Sequence, residues 1–333
     1  MSGVVTFGEI LLRLSCPDHR RFSQVDSFEV TVAGAEANVA VACACFGHRA
    51  SFVSALPPNG MGDLALRNLT MWKVDTSHVV PFGKRLGVYY LETGALQRPA
   101  EIIYDREGSS FATIPSESYD WERILQGAQW FHTSGINPAL SPSAAAATRQ
   151  GIKTAKKLGI PVSFDLNYRY KLWGVAEARP SLELLLPEID LLIAGRGQIA
   201  EVLEIVSHKS DFEGIEEVAL QVSRAYGIPQ VCIPRRGSGE ALLETRSAVF
   251  YDGKECHCAP WMAFEMIEPL GGGDAFAGAL ISSLLAKEDS LSAIKIAVAA
   301  ACVKHSIPGD FLKARREEVM AFIDNPAQRG IKR

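Results

Sequence analysis

Three glycines and an aspartate, Gly271-Gly272-Gly273-Asp274, run straight into the apolar stretch Ala275-Phe276-Ala277-Gly278-Ala279-Leu280. Glycines let successive backbone N–H groups converge on an anion, and the helix that the apolar stretch predicts adds the positive end of its dipole. A carboxylate one residue inside such a turn can accept the proton of an attacking hydroxyl. These are the parts needed to move a phosphoryl group onto an alcohol, because the donor's charge needs the N–H cradle as it develops. Read alone, the same segment is equally an aspartate-capped glycine turn.

A second cluster, Ala33-Gly34-Ala35-Glu36-Ala37-Asn38-Val39-Ala40, also follows a strand-like run (Phe28 to Val32) and opens an apolar helix ending near Gly47. Glycine admits close approach of backbone to ligand, and Asn38 in the first helical turn offers a donor and an acceptor to a polyol. With both segments in place the chain resembles the ribokinase-like (PfkB) carbohydrate kinases, whose two sequence signatures are such a Gly/Asn segment and a late Gly-x-Gly-Asp helix start. Within them it is most similar to the 2-keto-3-deoxygluconate kinases. That closer likeness rests on Phe7-Gly8-Glu9, the Gly34 to Ala40 segment, Asp165-Leu166-Asn167-Tyr168-Arg169, Leu172-Trp173 and His305-Ser306-Ile307-Pro308-Gly309-Asp310-Phe311. It covers the chain from Val4 to about Phe322.

The resemblance implies a ribokinase-like three-layer αβα sandwich with a mostly parallel sheet and a small projecting β lid. It implies one kinase domain over residues 1–333, with lid segments at approximately 10–32 and 85–112. ATP and Mg²⁺ are the implied cofactors. Asp274 becomes the general base, and Gly271, Gly272 and Gly273 the anion hole for the ATP phosphates. Gly34, Asn38, Tyr89, Tyr104, Arg106 and Arg169 are the implied sugar-acid contacts. The turn Arg236-Gly237-Ser238-Gly239 is the nucleotide contact, with adenine between it and the helix ending at His305. A homo-oligomer, in which two lids pair in a dimer, is expected on the same ground.

The residues themselves support an α/β fold. Short β-type runs at Val4 to Phe7, Ala50 to Ser54, Trp130 to Thr133, Val162 to Asp165, Leu191 to Ala194 and Val231 to Pro234 alternate with helical patterns. Helices are expected at Ala37 to Phe46, Ser143 to Leu158, Glu216 to Tyr226, Asp274 to Leu285 and Leu291 to His305. Ser27 to Val32 and Gly87 to Arg106 break the alternation with a period of two, and read as an antiparallel insertion projecting from the sheet edge. Closure of such an insertion would exclude water, a competing phosphoryl acceptor. Tyr89 and Tyr104 in it are either ligand contacts or ordinary packing.

Substrate class follows from charge. Planar guanidinium groups bind a carboxylate through two parallel hydrogen bonds, so Arg106 and Arg169 favour a sugar acid over a neutral sugar such as fructose or ribose. The bland alternative for each is a solvated surface arginine. Three departures from the family pattern lie on the nucleotide side. Gly195-Arg196-Gly197-Gln198 replaces the usual Asn-x-x-Glu, removing a carboxylate that a hard cation would prefer. Glu268-Pro269 stands in place of Asp-Thr, and Glu240 where many relatives carry glycine. A sugar-acid-binding protein with weak phosphoryl transfer, or a kinase for another sugar, therefore remains open at this stage.

Composition bounds the rest. A length of 333 residues and a net charge of −4 suit a large α/β unit and give no electrostatic reason for nucleic acid or an anionic membrane as partner. The start Met1-Ser2-Gly3-Val4-Val5 lacks a secretory pattern and no apolar run is long enough to span a bilayer, so a cytoplasmic location is expected. Seven scattered cysteines do not make a disulfide framework, and Cys256-His257-Cys258 and Cys43/Cys45 lack zinc-site spacing. Gly195-x-Gly197-x-x-Ala200 imitates a dinucleotide-binding turn, but no acidic strand end lies about 20 residues on.

Overall fold

Parallel strands covered on both faces must be apolar in both directions, and the strands near the middle of the sheet are. Val4 packs into one core while Val5 and Phe7 face the other, and in the next strand Phe52 and Val53 divide in the same way. The computed structural model describes residues 3–209, 211–238 and 243–325. In chain order the strands are β1 (Val4–Phe7), β2 (Leu11–Ser15), β3 (Glu29–Ala33), β4 (Ala50–Leu56), β5 (Val74–Asp75), β6 (Val79–Pro81), β7 (Gly87–Glu92) and β8 (Glu101–Asp105). They continue as β9 (Trp130–Ser134), β10 (Val162–Asp165), β11 (Leu191–Ile193), β12 (Gln230–Ser238), β13 (Glu244–Tyr251), β14 (Cys256–Cys258) and β15 (Met262–Phe264).

The large sheet runs β14-β13-β12-β11-β10-β9-β1-β4-β5, with β15 on β13 and β6 on β4. It is parallel from β5 to β12 and antiparallel from β12 through β14. This is the ribokinase-like α/β architecture that the resemblance implies. Six strands sit within a few residues of their expected positions. The helices Ala35–Cys45, Pro142–Lys157, Asp211–Tyr226, Gly272–Leu285 and Ser290–Lys304 likewise match expectation, with some starting earlier in the chain. No helix among the described residues is long and apolar enough to cross a membrane.

The inserted segments form a separate four-stranded sheet in the order β3-β2-β7-β8. Its pairing corrects the expectation of an antiparallel insertion: β2–β3 and β7–β8 are antiparallel, but β2 and β7 are parallel. The reason is connectivity, since β2 and β7 are separated by β4 and its neighbours in the large sheet and approach from the same side. Leu11, Ala33, Tyr89 and Leu91 form its small core, with Leu270 packed against them.

Two helices carry the glycine motifs and cross tightly. A Cβ on Gly278 would lie 2.6 Å from the Ala42 Cβ and 3.1 Å from the Val39 carbonyl oxygen, so only glycine allows this approach. Its consequence is functional: the start of the Ala35–Cys45 helix meets the start of the Gly272–Leu285 helix.

Candidate functional site

The two helix starts open into a cavity of about 720 Å³, beneath the small sheet and beside the carboxyl end of β10. Its wall includes Gly34, Asn38, Tyr89, Tyr104, Arg106, Arg169, Gly271 and Asp274, so the expected sugar side, the first anion-hole glycine and the expected base share one space. Gly272 and Gly273 continue from Gly271 into the helix. Arg236, Gly237 and Ser238 lie on the hairpin side, and Gly239 and Glu240 lie outside the described residues.

Gly271 takes φ +80°, the left-handed region, and a Cβ there would stand 2.0 Å from the Asp310 carbonyl oxygen. Both facts demand glycine. The N–H groups of Gly272, Gly273 and Asp274 belong to the first helical turn, which has no intrahelical acceptors for them. Space around Gly273 is open. An anion can therefore reach this turn.

Asn38 does not have both its functions free for a polyol. Its Oδ1 accepts from the Gly34 N–H at 3.3 Å and its Nδ2 donates to Asp274 Oδ2 at 2.5 Å. The side chain thus aims the Asp274 carboxylate. Burial pushes the Asp274 carboxyl up to about 7; Asn38 opposes the rise, Asp165 and Asp310 add to it, and Arg169 opposes it. Asp165, at the end of β10, is itself raised by burial to about 6, with Arg169 and Arg236 opposing. A base that titrates near neutrality is suited to accepting a hydroxyl proton.

The arginines differ from one another. Arg106 is already engaged: its Nε donates to Glu9 Oε2 at 2.8 Å, its Nη2 pairs with the same oxygen, and Ser109 Oγ donates to the other. Its guanidinium also lies 5.6 Å from the Tyr104 ring centroid. Arg169 is exposed at the cavity mouth beside Lys171 and makes no salt bridge among the described residues. The charge free to meet a carboxylate therefore comes from Arg169 and Lys171, and Arg106 is shared with Glu9. Glu9 stands in the Phe7-Gly8-Glu9 motif, but its partner could not be read from spacing.

Tyr89 is buried and donates to both Asp310 oxygens, at 2.9 and 3.0 Å, while its ring packs 5.8 Å from that of Tyr104. Asp310 is in turn held by Arg13 Nη1 at 2.6 Å, and Glu268 by Arg13 Nη2 at 2.7 Å. Burial opposes the Arg13 charge, but Asp310, Tyr89 and Glu268 outweigh it and hold the guanidinium protonated. Glu268 also accepts from the N–H groups of Leu270 and Gly309. The longer acid at this position thus clamps the two loops beneath the Gly271 turn to β2 of the small sheet. Arg13 and Asp310 were missed as site residues, because their partners lie far away in sequence.

On the side expected to meet the nucleotide, Arg236-Gly237-Ser238 is not a turn. It continues β12, paired with β13 so that Arg236 faces Arg246 across the strands. Like charges opposite one another are unfavourable unless an anion joins them. Phe264 stacks on the His305 ring at 5.0 Å and 11°, and burial holds His305 neutral, down to about 4. Gln198 folds back so that its Oε1 accepts from the Gly195 N–H at 3.3 Å, capping its own helix, while Arg196 Nη2 donates to the Ser207 and Lys209 carbonyls. Among the described residues no three metal-ligating side chains cluster. The carboxylate oxygens that suit a hard cation are those of Asp165 and Asp274; burial raises Asp165, and Asp165 adds in turn to the rise of Asp274. His257 pairs with Asp252 at 2.8 Å and the seven cysteines are free.

An open, glycine-led helix start with a carboxylate in its first turn, facing a cavity under a small sheet, is an arrangement suited to phosphoryl transfer to a small acceptor. The model of the pfkB family of carbohydrate kinases matches residues 1–310. A 2-dehydro-3-deoxygalactonokinase of Haloferax volcanii is 34% identical over 95% of this chain and 95% of its own. A 2-dehydro-3-deoxygluconokinase of Thermoproteus tenax is 27% identical over 93% of this chain and 90% of its own. The crystal structure of 2-dehydro-3-deoxygluconokinase from Thermotoga maritima superposes with a TM-score of 0.94 at 41% identity, covering 97% of this chain and 98% of that one. The chain belongs to the pfkB family and is a carbohydrate kinase.

Proposed function

We propose that this kinase phosphorylates 2-keto-3-deoxygluconate (2-dehydro-3-deoxygluconate) from ATP, yielding the 6-phosphate. The observation that carries the reading is Asp274, held by Asn38 at 2.5 Å at the mouth of the glycine turn, in a cavity whose rim bears Arg169 and Lys171. In the proposed reaction the 6-hydroxyl oxygen attacks the γ-phosphorus, its proton passes to Asp274, and the bond from phosphorus to the β-phosphate oxygen breaks, releasing ADP. The N–H groups of Gly272, Gly273 and Asp274 stabilise charge on the transferred group. Arg169, aided by Lys171 and by the edge of Arg106 not used by Glu9, orients the acid's carboxylate and so its far hydroxyl. Mg²⁺, when bound, would supply charge neutralisation to the phosphates; Asp165 would help to hold it, leaving the Asp274 carboxylate to take the proton. The small sheet excludes water from the reacting oxygen, and its exposed Val30 and Ile103 support a dimer through that sheet.

The galactonate epimer is a second reading, favoured by the Haloferax relative. Coupled ADP release decides, with both 2-keto-3-deoxy acids, 5-keto-2-deoxygluconate, fructose and ribose as acceptors over a range of Mg²⁺. Turnover confined to the 2-keto-3-deoxy acids supports the proposal, and the ratio of the two epimers assigns the substrate. Equal turnover of a neutral sugar overturns it. Absence of turnover at every Mg²⁺ concentration, with the acid still raising Tm, makes the chain a sugar-acid binder.

A further inference from the structure

Lys304 ends the helix Ser290–Lys304 and is 0% exposed, a rare state for an ammonium group. Its Nζ donates to the Ile307 carbonyl at 3.0 Å. Its stem lies under the glycine turn, with Cε 3.0 Å from where a Cβ would stand on Gly271. The charged groups facing it come from every element around that turn: Glu268 before it, Asp274 in the helix after it, Asp310 in the loop beyond, and Arg13 from β2. Neutral His305 is its chain neighbour. Arg13 already takes Glu268 and Asp310, and among the described residues Lys304 has no carboxylate at ion-pair distance. An apolar side chain would fill this volume without the desolvation of an ammonium. What the charge adds is a positive field immediately behind the N–H groups of the cradle.

We propose that Lys304 is a positioning residue for the phosphate cradle: its ammonium ties the Ser306–Asp310 loop beneath the Gly271 turn and sets a fixed positive charge behind the helix start that receives the nucleotide's phosphates. The inference rests on the kinase reading above. Burial pushes Lys304 down to about 8, so the charge is present below that pH and disappears above it.

The test is calorimetric binding of a non-hydrolysable ATP analogue to the unaltered protein and to Lys304→Met, from about pH 7 to about 9.5. Affinity is expected to fall roughly 10- to 30-fold in Lys304→Met at the lower pH, with binding of the sugar acid kept. The unaltered protein loses analogue affinity as pH rises through about 8, and the variant does not. Methylammonium added to Lys304→Ala restores part of the loss. Analogue binding by Lys304→Met equal to that of the unaltered protein, with only Tm lowered, overturns the inference and leaves the kinase reading intact. Should Lys304→Met fail to fold, a flat affinity profile of the unaltered protein across that pH range overturns it. No nucleotide binding by the unaltered protein at any pH overturns both.

Discussion

The cavity and the β12–β13 strand pair are built on opposite plans; in the proposed reaction the first is the half that takes the acid and the second the half that faces the nucleotide. In the cavity several polar groups are paired before any substrate arrives, Arg106 with Glu9, Tyr89 with Asp310 and Asn38 with Asp274, while Arg169 and Lys171 at its wall are exposed. On the nucleotide side, Arg236 faces Arg246 across two strands, the first helical turn after Gly271 is open, and Gln198 is spent on its own helix cap. Preorganised pairs hold geometry at low reorganisation, which suits selecting one acceptor. In the proposed reaction the two facing arginines meet the polyanion. The halves meet at Asp274, raised by burial and by carboxylates from both.

Breaking that meeting point should have the largest effect. Asp274→Asn keeps the size of the side chain and removes the proton acceptor, and kcat should fall by roughly 100- to 10,000-fold with little change in acid affinity. The same carboxyl predicts a pH profile. With Asp274 at about 7, the base is protonated in acid and ionised in alkali, so kcat/KM of the free enzyme should climb as pH rises through about 7. A variant with undiminished turnover, or a flat profile between about pH 6 and 8, would take Asp274 out of the chemistry.

Next in size is the joint between the halves. Arg13 comes from β2, and its partners Glu268 and Asp310 come from the loops beneath the glycine turn. Arg13→Met leaves two buried carboxylates without their cation, and removing one member of a buried ion group destabilises by about 3–5 kcal/mol. Urea unfolding should register that loss. Because Asp310 also receives the Tyr89 hydroxyl, KM for both substrates should rise in whatever fraction folds. Stability within about 0.5 kcal/mol of the parent would mean the network is dispensable.

How far this division was legible in the sequence depends on the range of the interactions. Buried parallel strands advertise themselves locally, as do helix starts marked by Gly34 and Gly271, and these elements were read close to where they lie. The parallel register of β2 with β7 was not legible, since nothing within either strand states its neighbour. Nor was the Arg13 group, whose partners lie 255 and 297 residues away. Arg106 was legible as a cation but not as one already held by Glu9. Arg236-Gly237-Ser238 was misread as a turn because glycine beside serine is a turn signal, whereas the pairing of β12 with β13 carries the strand through it. The substrate-charge argument, drawn from two arginines, accordingly passes mainly to Arg169.

That shift sharpens the comparison within the acid side. Arg169→Ala should raise KM for the acid roughly 10- to 100-fold, with KM for ATP changed far less, since a charge-assisted hydrogen bond contributes about 1.5–3 kcal/mol. Arg106→Ala frees Glu9 as an uncompensated carboxylate beside the substrate, so it should harm both affinity and stability. Equal and purely affinity-based losses in the two variants would show that Arg106 leaves Glu9 when the acid binds. Steady-state kinetics beside thermal unfolding separates the cases.

The smallest expected effect tests the nucleotide side by restoration. The family resemblance gives a glutamate where this chain has Gln198, and the amide Oε1 accepts from the Gly195 N–H at 3.3 Å. A glutamate oxygen can make the same cap, and the helix N-terminus favours its negative charge, so Gln198→Glu should fold without loss. The family resemblance puts that carboxylate near the phosphates, where a hard cation prefers anionic oxygen. The Mg²⁺ concentration for half-maximal rate should then fall by up to roughly tenfold, with kcat and the KM for the acid unchanged. Magnesium titration at saturating ATP and acid measures this directly. An unchanged Mg²⁺ requirement would mean that the capped Gln198 is a neutral replacement.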